Sequence, residues 1–448
     1  TIGRLRQYCQ LFDGQRRQLL ASLPSLPPPD EEQFPQLLDA VGECLVGVQG
    51  EDGPALRMLF GPLLAQLQHA ESLKDSTDED STDAMDESMD ESMERLATLY
   101  CEFGPNSAVR HRVLQVLATM GTPAAIRWFA QLIVEDPPRT AREADLAFAP
   151  LWTLSNPPVD EFFPRLFDAL PHQGVAALVL DLANHLTRNG LATEHPARER
   201  AAHLAGLFGG LADRMKRLEE KPTEFAQTAE ELSEIIAQCV SLGTALADSL
   251  GLIGDVQHLG ALRKALEIGH RRLRAEAAAA VARLGDEDGI EILAQLAQDP
   301  GARVRALAYL EELEKLDQAR EEDRSPDARA EGELALFLSQ PTQFGLPPTR
   351  LDMIDSRELR WPGWEEPVAC RLFIYTYQFP NNELQRVGLA GPMTYSLRAD
   401  VDDLPLGEIY ALYCGWQVEH DDIQQKAAAD LTPSERKELA SVEQRLRE

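Results

Sequence analysis

The chain has 448 residues, 44% of them hydrophobic, and a formal charge of −31 from 74 acidic against 43 basic side chains. That length suits two or three domains or one extended repeat body, and the carboxylate surplus disfavours nucleic-acid phosphates and anionic membranes as partners. No window approaches the roughly 20 apolar residues needed to span a bilayer, the start TIGRLRQYCQLF has no secretory core, and six scattered cysteines without a CxxC pair argue against a disulfide framework or zinc site and fit a reducing cytoplasm.

Residues 1–70 read as an N-terminal helical cap, Leu-rich pieces interrupted by the run Leu26-Pro27-Pro28-Pro29. Residues 71–94 follow as an acidic insertion, 11 of 24 being Asp or Glu with Lys74 the single basic residue. Charges of one sign at that density repel and leave little to bury, so disorder is expected. The segment is either a solvated insertion or an acidic loop for a basic partner. It lacks the glycine and terminal glutamate of a calcium-binding EF-hand.

Residues 95–316 carry helical periodicity throughout. Val109, Val113, Val116, Leu117 and Met120 make one stripe, Ile126, Phe129 and Ile133 the next, with Gly121-Thr122-Pro123 between them. From 139 to 247 the breaks fall at Asn156-Pro157-Pro158, Pro171-His172, Glu194-His195-Pro196 and Lys221-Pro222. Segments Gln173 to Leu186 and Ala201 to Leu218 are candidates for an inner face, and Thr228 with Glu231 makes a capping box. His185, His195 and His203 are spaced by ten and eight residues, which does not set them on one helix face for a metal.

The clearest repetition lies between Ser249 and Leu313. Gly254-Asp255 returns as Gly285-Asp286, and Leu273-Arg274 as Val304-Arg305, each 31 residues later. A fixed period of that size marks stacked repeats. Leu273, Ala277, Val281 and Leu284 form one stripe; Ile290, Leu293 and Ala297 form the second, with a Gly-Asp turn between. The unit resembles the HEAT repeat, and within it the variant named after phycobilin lyases, through the turn Leu284-Gly285-Asp286 and the helix start Val304-Arg305. The resemblance implies an α-solenoid of helix pairs. It also implies that Asp255, Asp286, Arg274 and Arg305 form a structural ladder between repeats.

Within the same stretch, Arg263, Lys264, His270, Arg271, Arg272 and Arg274 form a basic cluster in an otherwise acidic chain. Two readings stand: an anion or partner site that uses Arg263, Arg271 and Arg272, or the exposed end of one repeat. Aromatics for stacking on bases are not interleaved with it.

Residues 317–348 read as a linker, with a short helix over Glu331 to Leu338, and 349–430 as a small α+β module. There Val368 to Phe379 is β-branched and aromatic, Leu384 to Leu389 returns as a hairpin partner, Met393 to Leu397 makes a third strand, and a helix follows from Asp403. Trp361, Trp364, Tyr375, Tyr377, Tyr395 and Trp416 are either a recognition surface or the core of a small domain. Glu419 and His420 are neighbours pointing about 100° apart on a helix, a poor acid–base pair. Residues 431–448 begin with the cap Thr432-Pro433-Ser434-Glu435 and form a C-terminal helix.

No phosphate-binding loop, dinucleotide fingerprint, nucleophile elbow or HExxH motif occurs, and no catalytic, cofactor or metal residue is assigned. The expected fold class is mainly α, an α-solenoid with a small C-terminal α+β module. The expected function is a non-catalytic protein-binding scaffold in the cytoplasm, without a cofactor, for a protein partner and most favourably a basic one. The alternatives are a bilin-handling protein, implied by the resemblance alone, and an acidic inhibitor acting through residues 71–94.

Overall fold

The computed structural model describes residues 93, 94, 96–98, 100, 101, 110–340, 343, 345, 347–359, 366, 368–378, 385–390, 395, 396 and 432–434. The chain divides into two compact units, Thr1–Asp286 and Glu287–Glu448.

Among the described residues of the first unit, from residue 110 on, nine α-helices follow one another: α1 (Arg110–Met120), α2 (Pro123–Glu135), α3 (Ala141–Phe148), α4 (Val159–Leu166), α5 (Gln173–Arg188), α6 (Ala201–Glu220), α7 (Ala229–Ile253), α8 (Leu259–Lys264) and α9 (Arg271–Arg283). Their starts are written in the sequence. Thr122 caps α2, with Pro123 in its first turn. Thr140 with Glu143 and Thr228 with Glu231 close full capping boxes on α3 and α7. Each box satisfies backbone donors that a helix start leaves unpaired. The expected segments Gln173 to Leu186 and Ala201 to Leu218 are α5 and α6.

Alternate helices pack side by side. The chain α1–α3–α5–α7–α9 is one layer; α2 packs on α4 and α6 on α8 in the other. Consecutive pairs α1–α2, α6–α7 and α8–α9 join the layers. Thus α5 and α6, both candidates for an inner face, lie in opposite layers and do not share one. Phe129 and Phe148 meet edge to face at 5.2 Å, and Phe162 stacks on Phe163 at 4.4 Å within the buried core. Gly254 (φ 77°) ends α7 in the left-handed conformation, and Gly285 (φ 82°) follows α9 in the same one. This conformation favours glycine and explains the 31-residue return of Gly-Asp. At Gly251 an added Cβ would stand 3.0 Å from the Ala280 Cα, so α7 and α9 touch nearly backbone to backbone.

Helix α7 corrects one expectation. By length and composition it is apolar enough to cross a membrane, the single such helix among the described residues, yet most of the qualifying window is buried. Its apolar surface packs against α5, α6 and α9.

The second unit contains α10 (Glu287–Leu296), α11 (Pro300–Glu312), α12 (Glu321–Arg324), α13 (Pro326–Leu338) and an antiparallel sheet in the order β1 (Arg350–Leu359), β2 (Val368–Gln378), β3 (Gln385–Ala390), β4 (Tyr395–Ser396). Pairing runs from Arg350 opposite Thr376 to Leu359 opposite Val368, with an irregularity between Met353 and Asp355. Strands β2, β3 and β4 fall where alternation and turn residues placed them; β1 was not anticipated. The segment read as a linker instead carries α12 and α13, and α13 packs on α11, β1 and β2. Buried Arg303 on α11 explains why. It donates to the carbonyls of Ala297 (2.9 Å), Gln298 (3.2 Å) and Ala328 (2.9 Å) and to the carboxylate of Glu331 (2.5 Å). Arg371 on β2 donates to Asp327 on α13 at 2.6 Å.

The fold is mainly helical, with stacked helix pairs and a small sheet in the C-terminal unit. The readings of residues 1–70 and of a helix from Asp403 lie outside the described residues, as does the acidic segment 71–94 up to residue 92; Met93 and Glu94 are helical, and Met93 is buried. The C-terminal helix beyond Ser434 also lies outside them.

Candidate functional site

Among the described residues of the first unit, one cluster of charged side chains belongs to three neighbouring helices of one layer, α5, α7 and α9. Asp248 on α7 is the centre. Arg188 from α5 approaches both its oxygens, one at 2.5 Å, and Arg283 from α9 donates to Oδ1 at 3.2 Å. The Asp248 and Arg283 side chains are each 11% exposed and Arg188 is 40% exposed. The clamp is therefore inside the layer on one side and open on the other.

Two turns earlier on each outer helix stands a carboxylate. Asp181 precedes Arg188 by seven residues and Glu276 precedes Arg283 by seven, a spacing that keeps each pair on one helix face about 10 Å apart along the axis. Burial, then the Asp248 charge, pushes the Asp181 carboxyl up to about 6; Glu276 adds to this, while Arg272 and Arg188 oppose it. Desolvation disfavours the charged form and neighbouring carboxylates repel it.

Next to the clamp is a buried polar network. The His195 Nδ1 accepts the Ala197 N–H at 3.1 Å, so Nε2 carries the proton and donates to the Asn184 Oδ1 at 2.9 Å. Asn184 donates to the Ala245 carbonyl at 3.1 Å, and the Ser249 hydroxyl donates to the Asn184 Oδ1 at 2.8 Å. Burial, with help from Arg188, lowers the His195 pKa to about 4, so the ring is neutral. The three histidines do not converge: His195 is in this network, His185 meets the Trp152 ring edge to face at 5.2 Å, and His203 is exposed.

The basic cluster is neutralised in part. Arg263 pairs with Asp286 at 2.5 Å and Lys264 with Asp213 at 3.0 Å. Glu219 accepts the backbone N–H groups of Gly269 and His270 at 3.0 and 2.9 Å. Arg272 acts on Asp181, and Arg271 is exposed. Arg263 and Lys264 are thus engaged within the fold, while Arg271 and Arg272 at the start of α9 are exposed.

The ladder candidates divide. Asp286 links its turn to α8 through Arg263, whereas Asp255 accepts the Gln257 N–H at 2.9 Å and caps its own turn. Arg274 is part-buried on α9, and Arg305 is on α11 in the second unit. The clamp on Asp248 was missed, because neither Arg188 nor Asp248 recurs at the repeat spacing.

Among the aromatic candidates, Tyr375 and Tyr377 are buried with Leu338, flanked by Leu334 and Leu351. Their rings meet edge to face at 6.0 Å. Burial explains the Tyr377 phenol being pushed up to about 12. These two form core, and a recognition role would need exposure they lack. Tyr395 is on β4. Trp361, Trp364, Trp416, Glu419 and His420 lie outside the described residues.

Comparison with curated proteins gives no match. Residues 240–314 match the family of HEAT repeats, a stretch that holds both Gly-Asp turns, Asp248 and Arg283. This stretch of 75 residues is similar to HEAT repeats.

Proposed function

We propose that the chain is a non-catalytic, cytoplasmic protein-binding scaffold, and that the partner docks on the layer formed by α5, α7 and α9. The observation that carries this reading is the layer itself: Asp248 ties α5, α7 and α9 together through Arg188 and Arg283, and the clamp is open on the Arg188 side, where that side chain is 40% exposed. With a chain charge of −31, the complementary partner is basic. The aromatic module supplies a second contact through Trp361, Trp364 and Trp416. Within HEAT repeats, the Gly254-Asp255 and Gly285-Asp286 turns favour the phycobilin-lyase type.

Capture of partners on the full chain from native lysate, followed by cross-link mapping, tests the reading. Cross-links should concentrate on α5, α7 and α9, and capture should weaken between about 0.05 and 0.3 M salt as screening grows. Cross-links confined to residues after 287, or capture indifferent to salt, would reject the docking face. Deleting residues 71–94 separates the regulator reading: unchanged capture leaves the scaffold face as the binding element.

A further inference from the structure

Helix α5 ends on the single Asn-Gly pair of the sequence, Asn189-Gly190. Both residues are exposed, and they follow directly on Arg188, the outer arm of the clamp on Asp248. Gly190 is left-handed at φ 69°, and the Leu191 N–H returns to the Leu186 carbonyl at 2.9 Å, a helix stop that favours glycine. The Asn189 side chain completes the stop. Its Nδ2 donates to the His185 carbonyl at 2.8 Å and lies 3.2 Å from the His185 Nδ1. The His185 ring is itself set against Trp152.

This pair of residues carries a reaction. The Gly190 nitrogen has no side chain beside it, and an added Cβ there would meet nothing within 4 Å. When that nitrogen attacks the Asn189 Cγ, the new N–C bond closes a succinimide ring. The side-chain nitrogen leaves as ammonia, taking the proton of the Gly190 N–H. Water then opens the ring at either carbonyl and leaves aspartate or isoaspartate. The folded stop delays the attack. Asn189 holds ψ 4°, its amide is engaged by His185, and the Gly190 N–H donates to the Thr187 carbonyl at 3.2 Å. Helix ends open at little cost, and opening the last turn of α5 frees both groups.

We propose that Asn189 is a self-modification site, and that its conversion to a carboxylate releases the end of α5 and with it the Arg188 arm of the clamp. The proposal goes beyond the scaffold reading and does not depend on it. A carboxylate cannot donate to the His185 carbonyl, and its charge stands at a helix C-terminus, where the dipole opposes it. Arg283 still holds Asp248 from α9, so the buried side of the clamp stays paired and the exposed arm loosens.

The full chain, aged in mildly alkaline buffer at body temperature, is digested and its peptides are read by mass spectrometry. Asn189 should appear as both aspartate and isoaspartate. Asn184, buried on the same helix with its amide on the Ala245 carbonyl, should stay intact. Native-state hydrogen exchange then compares the aged chain and Asn189→Asp with the fresh chain. The Leu191 and Ala192 amides, which bond back to Leu186, should lose roughly two- to fivefold in protection, while α2 amides are unchanged. An Asn189 that stays intact through ageing overturns the proposal. So does a converted chain whose Leu191 and Ala192 protection equals that of the fresh one.

Discussion

Arg188 and Arg283, on helices separated by α7, share the one carboxylate of Asp248. The arrangement ties three neighbouring helices at a single point. Replacing Asp248 with Asn keeps the shape and strands two guanidinium groups, one of them largely buried. The expected loss is about 3 kcal/mol in the unfolding of the first unit, followed by urea titration and circular dichroism. Arg188→Ala should cost less than about 1 kcal/mol, since that side chain is 40% exposed and water screens it. Equal costs for the two variants would mean that Asp248 is not the organising group.

Arg303 plays the corresponding part in the second unit, with a different chemistry. Three carbonyls and the Glu331 carboxylate converge on one planar guanidinium, and Asp323 lies 3.8 Å away. A lysine retains the charge but cannot span these acceptors. Arg303→Lys should destabilise the α11–α13 contact by about 2–4 kcal/mol, because buried carbonyls lose their donors. Limited proteolysis should then cut between Glu312 and Pro326 faster than in wild type; an unchanged cutting rate would remove Arg303 from this role.

His195 makes the stability of the first unit depend on pH. Its folded pKa is near 4 against 6.5 unfolded, so the folded state binds fewer protons. The contribution is present above 6.5 and lost as pH falls toward 4. Between pH 7 and 5 this removes roughly twentyfold of the folded-to-unfolded ratio. His195→Gln should be less stable than wild type at pH 7.5, with the gap closing by pH 5. A gap that stays constant across that range would show that the ring does not titrate as stated.

What was legible in the sequence had a local cause. Gly254 and Gly285 sit where the backbone turns left-handed, and Thr228 with Glu231 closes a box within one helical turn; such features repeat or read out over a few residues. Strand β2 was legible because its run is β-branched and aromatic, whereas β1, RLDMIDSREL, is half charged and has a register irregularity after Met353. The Asp248 clamp joins residues 60 and 35 apart in sequence, with no shared period to announce it. The linker reading failed for the same reason. The charges of 317–333 look solvated until buried Arg303 gathers Asp323 and Glu331.

Gly251 tests how closely the layer is packed. It is buried on α7, and any Cβ there would press on the Ala280 backbone at 3.0 Å and on the Ala280 Cβ at 3.1 Å. Neither neighbour is a flexible side chain, so α7 and α9 must move apart to admit it. Gly251→Val adds a branched side chain at that contact and should cost about 1–3 kcal/mol from overpacking. The damage should reach the clamp as well, because Arg283 Nη1 is 3.6 Å from the same Cβ position and must shift with α9. Combining Gly251→Val with Asp248→Asn should therefore cost less than the sum of the two single changes. Strict additivity in the double-mutant cycle would show that the glycine contact and the carboxylate clamp hold α9 independently.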